Sequence, residues 1–249
     1  MSAFDLLDRA WEAKTDATRA KHAKAALTID PDALDGYVLL GQSLPSEAER
    51  IAALHEGVAR GRRLWAKEMK RPAQSWFWAD MDTRPFMRAV QLLALAQWNS
   101  GERQEAIASA KLLLWLNRND NQGIRDLLAM WYPATGDWVA LGKLLHRYRD
   151  DWSVGHLYAA WLLAFRDEAA DRRGACGSVR CQSHVPVFLA DPAAQVEAQD
   201  DDPLSLMGYV TVGSPGEAAA YADFARPAWA AVPGAIERLL RDTRTMVAE

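Results

Sequence analysis

Cysteine is almost missing from this chain. Cys176 and Cys181 are its full complement in 249 residues, and two thiols do not make a disulfide framework. Long apolar runs are missing too. Nothing approaches the roughly eighteen uninterrupted apolar residues of a membrane span. The opening MSAFDLLDRAWEAK puts Asp5, Asp8 and Arg9 where a secretory leader needs an apolar stretch. The charge imbalance is small, −4 overall, so no bulk field draws the chain to nucleic acid or anionic lipid. Runs of β-branched residues are scarce, which leaves little to build a sheet from. There is no glycine-rich phosphate loop, no histidine–glutamate metal helix and no serine elbow. These absences lead us to expect a soluble cytoplasmic protein that is all-α, is not an enzyme and uses no cofactor.

What is present is helical punctuation. Half the residues are hydrophobic and a quarter charged, with alanine throughout and eleven tryptophans spread from Trp11 to Trp229. Phe4, Leu7 and Trp11 recur at spacings of three and four, one face of a helix. Asp30 and Pro31 predict a helix start, a cap followed by the residue whose missing N–H costs nothing there. Ser46 and Glu49 stand in capping-box spacing. Further helical patterns follow from Arg84, from Glu102, from Asn121, from Asp137 and from Trp152. Breaks fall at Ser100 and Gly101 and again between Pro133 and Gly136. The helices come in pairs that repeat every thirty to forty residues, the signature of a helix–turn–helix solenoid whose units must stack to bury their apolar faces. We expect the solenoid over 1–182. In 183–249 we expect an acidic loop around Asp200, Asp201 and Asp202, then helices opening at Ser214, Pro215 and Glu217 that cap the last open face as part of the same structural unit.

Several spacings carry a resemblance. Gly101 with Ala106 five positions later, and Pro31 followed by Tyr37, Leu40 and Gly41, resemble tetratricopeptide repeats. The run TRPFMRA…G…EAI…LNRNDNQGIRDLL, continued by AWLLAF, by HVP at 184–186 and by SPGEAAAYA…W…PGAIERLL, resembles bacterial relatives of the suppression-of-tumorigenicity-seven family over about residues 30–240. Arg118 stands where a proline is usual, and 187–208 departs from the pattern. The resemblance implies a tetratricopeptide-like fold and little about biochemical role.

The candidate site starts from NRNDNQGIR. Asn119 or Asp120 can cap the following helix, with Gln122 completing a box, but Arg125 remains unexplained, because a cation in the first turn opposes the helix dipole. Arg84 and Arg88 pose the same question one repeat earlier. Adjacent first helices line a concave face, so these arginines are expected near helix N-termini that already favour anions, where they would receive a carboxylate in bidentate contact. Internal pairing with Asp82, Asp120 or Asp126 is the alternative. Tyr37, Arg84, Arg88, Gln91, Gln122 and Arg125 are the candidate polar anchors of a groove that holds a peptide or partner segment. A rival reading is a ligand sensor or enzyme with a pocket under Trp76, Phe77 and Trp78; core or lid packing is the plainer role for those rings. A third is a self-associating structural subunit of unknown oligomeric state. Cys176, Cys181, His184 and Asp191 match no zinc spacing, and no metal is expected. Nor is nucleic acid, although Arg60, Arg62, Arg63, Lys67, Lys70 and Arg71 form a basic run; such runs are usually a solvated helix face.

Overall fold

Short polar side chains cap several of the helices. In the computed structural model, which describes residues 1–70, 76–167, 184–191, 193–194 and 211–247, the described elements are helices and turns, with no strand among the described residues. Helix α1 (Ala3–Trp11) opens with a complete capping box: Ser2 Oγ accepts from the Asp5 N–H and the Asp5 carboxylate accepts from the Ser2 N–H. Thr15 caps α2 (Asp16–Ile29) through the Thr18 N–H. Helix α3 (Leu34–Ser43) begins three residues later than Asp30 and Pro31 predict. Asp30 closes α2 and turns its carboxylate onto the Asp32 N–H, a local Asx bond that competes with the helix-capping role. Ser46 precedes α4 (Glu47–Leu64) without a side-chain cap. The short α5 (Trp76–Ala79) leads into α6 (Arg84–Asn99), and α7 (Arg103–Leu116) follows the left-handed Gly101.

Backbone contacts divide the chain into two compact units, Met1–Ile124 and Arg125–Glu249. The boundary expected at 182 lies outside the described residues. In the first unit α1 packs on α2, α3 on α4 and α6 on α7, while α2 also meets α3, and α6 meets both α3 and α4. Ala10, Ala20 and Ala23 lie against Leu39, Leu40 and Leu44, small residues that let helices approach closely. Two glycines of α4 do the same. A Cβ on Gly57 would overlap the Tyr37 side chain, and one on Gly61 would overlap the Phe86 ring. Phe77 is buried between Trp65 and Phe86 in edge-on contacts at 6.2 and 6.1 Å, burial worth roughly 2–3 kcal/mol.

The second unit takes in most of α8 (Ile124–Thr135), with α9 (Trp138–Arg147), α10 (Val154–Arg166), α11 (Val185–Ala190), α12 (Pro215–Ala230) and α13 (Ala235–Val247). Pro133 lies inside α8 rather than ending it, and the break falls at Gly136, φ +77°. The proline sits in the last turn, so the one backbone bond it removes is near a frayed end. Asp137, Ser153 and Ser214 cap α9, α10 and α12. Here Trp131, Trp161 and Trp229 are buried in the core, whereas Trp152 is exposed. Trp161 stacks between Phe165 and Trp229 at 5.4 and 5.5 Å, and the Trp229 indole N–H donates to the Tyr221 hydroxyl at 3.0 Å. Cys176 and Cys181 lie outside the described residues. Among the described residues no group of three or more histidine, cysteine, aspartate or glutamate side chains could hold a metal, and no helix is long and apolar enough to cross a membrane.

Candidate functional site

The turn at 117–123 is built by backbone conformation first. Asp120 has φ +53° and Gly123 φ +71°, so α8 cannot start before Ile124. Asp120, only 5% exposed, caps that start: its Oδ1 accepts from the Ile124 N–H at 2.8 Å. An aspartate tolerates the left-handed region better than most residues because its short side chain bonds locally. Asn117 closes α7 with 2% exposure, and neither polar atom of its side chain has a hydrogen-bond partner among the described residues. The capping role expected of Gln122 is not what the side chain does. It leaves the turn and reaches α6, where Nε2 donates to Gln91 Oε1 at 2.8 Å and to the Met87 carbonyl at 3.4 Å. Gln91 Nε2 donates in return to the Gln122 carbonyl at 3.4 Å. Backbone carbonyls only accept, so each contact demands an amide nitrogen, and together they fix both carboxamides in one orientation.

Gln91 also lines a groove of about 570 Å³ in the first unit, within the roughly 300–1,000 Å³ usual for ligand pockets. On α6, Arg88, Gln91, Leu92 and Leu95 fall at spacings of three, four and seven, one face of a helix. Val38 and Gln42 of α3 form another wall, and Trp11, 45% exposed at the end of α1, contributes the aromatic surface.

Arg88 is the charged residue in the lining. Its side chain is 47% exposed and lies 3.6 Å from Asp35 Oδ1, beyond hydrogen-bond reach. Among the described residues it makes no hydrogen bond. Asp35 Oδ1 is itself buried and, among the described residues, without a hydrogen-bond partner. Burial raises this carboxyl above its ordinary range, with Arg88 pulling in the opposite direction. The groove therefore holds a guanidinium that, among the described residues, is ion-paired with Asp35 at 3.6 Å but makes no hydrogen bond.

The other expected anchors are occupied. Tyr37 is buried and donates its hydroxyl proton to the Pro31 carbonyl at 3.0 Å. The Arg84 guanidinium lies 4.8 Å above the Trp78 ring and its Nε donates to the Trp78 carbonyl. Arg125 belongs to the second unit, where it forms a short ion pair with Asp151 and stands 5.5 Å from the Tyr148 ring. Asp151 also accepts from the Ser153 N–H at 2.9 Å. Burial alone would raise its carboxyl; the Ser153 and Arg125 contacts outweigh it and the net shift is downward. Burial lowers the nearby His156.

So Gln91 and Gln122 are joined by hydrogen bonds, and Arg88 and Gln91 line the groove. Trp11, Val38, Gln42, Leu92 and Leu95 complete it, with Asp35 as the counter-ion. Spacing along α6 held the signal for the two leucines, but nothing local pairs Asp35 with Arg88. In the basic run, Arg60 is committed to Asp32 and Glu56, and Arg63 lies 4.0 Å from Glu56. Compared with known protein families, curated proteins and solved structures, the chain matches none of them.

Proposed function

We propose that this chain is a protein–protein interaction module: a tetratricopeptide-like helical solenoid that works in the cytoplasm, without cofactor or catalysis, by holding a peptide or partner segment in the first-unit groove. The single observation that carries this reading is Arg88, a half-exposed guanidinium with no hydrogen bond among the described residues, set in a groove walled by Trp11, Val38, Leu92 and Leu95. The pairing of α1 with α2, α3 with α4 and α6 with α7 supports the repeat architecture. Phe77, packed between Trp65 and Phe86, supports core packing over a pocket beneath the aromatic run. Anchors fixed on packed helices lose little side-chain freedom on binding, which favours affinity.

The test is selection of short random peptides, displayed both with free C-termini and internally. Enriched peptides should bind wild type and lose about tenfold or more with Arg88→Ala, the scale of one charge-assisted contact. No enrichment in either format, or equal binding by Arg88→Ala, refutes the reading. A molecular size that rises with concentration would favour self-association instead.

A further inference from the structure

Resting on that reading, we infer that anion capture in the groove is coupled to proton uptake: Asp35 is the resident counter-ion of Arg88, and it takes up a proton when an anionic group of the partner engages the guanidinium. Among the described residues Arg88 forms one ion pair, with Asp35 at 3.6 Å, and no hydrogen bond. The Asp35 Oδ1 that faces it is closed off from solvent and, among the described residues, accepts no hydrogen bond. Helix α3, which carries Asp35, packs against α1, α2, α4 and α6. Of the charged groups on those helices, Arg88 of α6 is the one that acts on this carboxyl; α1, α2 and α4 bring none that does. On α4, Arg60 is engaged by Asp32 and Glu56, and on α2, Arg19 by Asp16. One cation therefore favours the charged form of one partly buried carboxylate, and it does so from the wall of the groove.

A second anion upsets that balance. Placed on the exposed side of Arg88, it offsets the positive charge that pulls the Asp35 carboxyl down, while the burial that pushes the carboxyl up is untouched. It also sets like charges on two sides of one guanidinium. A proton bound at Asp35 relieves both. One anion and one proton enter together, so the net charge around Arg88 is unchanged. Linkage makes the effect reciprocal: a protonated Asp35 raises anion affinity by the same factor by which the anion favours the proton. Affinity is therefore weakest at neutral pH, where Asp35 is charged. It rises as pH falls toward the carboxyl's own range and levels off below it. The groove holds an anionic partner more firmly in acid and sheds it on neutralisation.

The probe is hexanesulfonate, an apolar tail with an anionic head that stays ionised throughout; hexanol is its uncharged control. Each is titrated into the full chain from about pH 7 down to about pH 5 while the Trp11 indole N–H and Arg88 Nε–H resonances are followed. Calorimetry in two buffers of different ionisation heat counts the protons taken up. Sulfonate binding to wild type should tighten about fivefold over that range and carry proton uptake, as a shift of about one pKa unit at Asp35 requires. Hexanol should show neither effect. Asp35→Asn should bind the sulfonate about tenfold more tightly than wild type at neutral pH, with a flat pH profile. Histidines titrate in both proteins, so the difference between them isolates Asp35. An equal proton count in the two proteins, or an equal affinity at neutral pH, overturns the inference and leaves the groove in place. Hexanol bound as tightly as the sulfonate overturns it too, because the head group then plays no part. If the sulfonate moves neither resonance, or binds Arg88→Ala as well as wild type, the groove reading itself falls with the inference.

Discussion

Arg88 and Arg125 sit alike in their helices, near the starts of α6 and α8, and each has an aspartate from another element beside it. Yet Arg125 and Asp151 form a short, partly buried pair, with Ser153 and Tyr148 adding contacts. Arg88 and Asp35 stop at 3.6 Å, and the carboxylate oxygen facing the arginine has no hydrogen bond among the described residues. The first pair is an internal clasp. The second leaves donors over, and left-over donors in a groove are binding potential. An arginine's role follows from the acceptors within its reach, not from its place in a helix.

The sharpest way to break that contrast is Arg125→Ala, which leaves Asp151 half-stripped of partners. It should lower stability by about 2–3 kcal/mol, read by denaturant unfolding, whereas Arg88→Ala should stay within about 0.5 kcal/mol. The sign of the pH dependence sharpens it. Asp151 is lowered in the folded state, so its contribution is complete at neutral pH and is lost as pH falls through its folded pKa. The cost of Arg125→Ala should shrink there. Equal costs for both arginines would erase the distinction.

Next in size is Asp120→Ala. It removes the cap on Ile124 and forces an alanine to φ +53°, together costing about 1–2 kcal/mol. Asp120→Gly should cost less, because glycine accepts that backbone while still losing the cap. A glycine variant as unstable as the alanine one would show that the cap alone matters.

The smallest effect has the opposite direction. Asp35 is raised in the folded state, so its ionisation opposes folding at neutral pH. Asp35→Asn should therefore gain about 0.5 kcal/mol at pH 7, and the gain should vanish as pH approaches the unfolded value of 3.8. A loss of stability at pH 7 would mean that the pair is a clasp after all.

Much of the helical plan was legible because it is local. Alanine and leucine spacing predicted α6 and α7 to within a residue or two, and Ser153, Asp137 and Ser214 start helices as their side chains dictate. Pro133 misled because a proline near a helix end costs little. Asp30 misled because an Asx turn uses the same atoms as a cap. Of the site, Arg88 was singled out as a cation early in its helix, Gln91 was named as a polar anchor, and Gln122 was singled out with a capping role in view that its side chain does not fill. Asp35 and Asp151 were not legible. Spacing pointed to nearby Asp82, Asp120 and Asp126, whereas Asp35 and Asp151 are distant in sequence and brought beside these arginines by packing.

The two missing side chains on α4 reach further than their size suggests. Gly57 lies against Tyr37 of α3, and Gly61, one turn on, against Phe86 of α6. One helix thus packs closely on both helices that wall the groove. Width is inherited from positions that no ligand touches, so a methyl group added at either would retune selectivity from behind. Variants with altered partner choice should be sought there as readily as among the residues lining the groove.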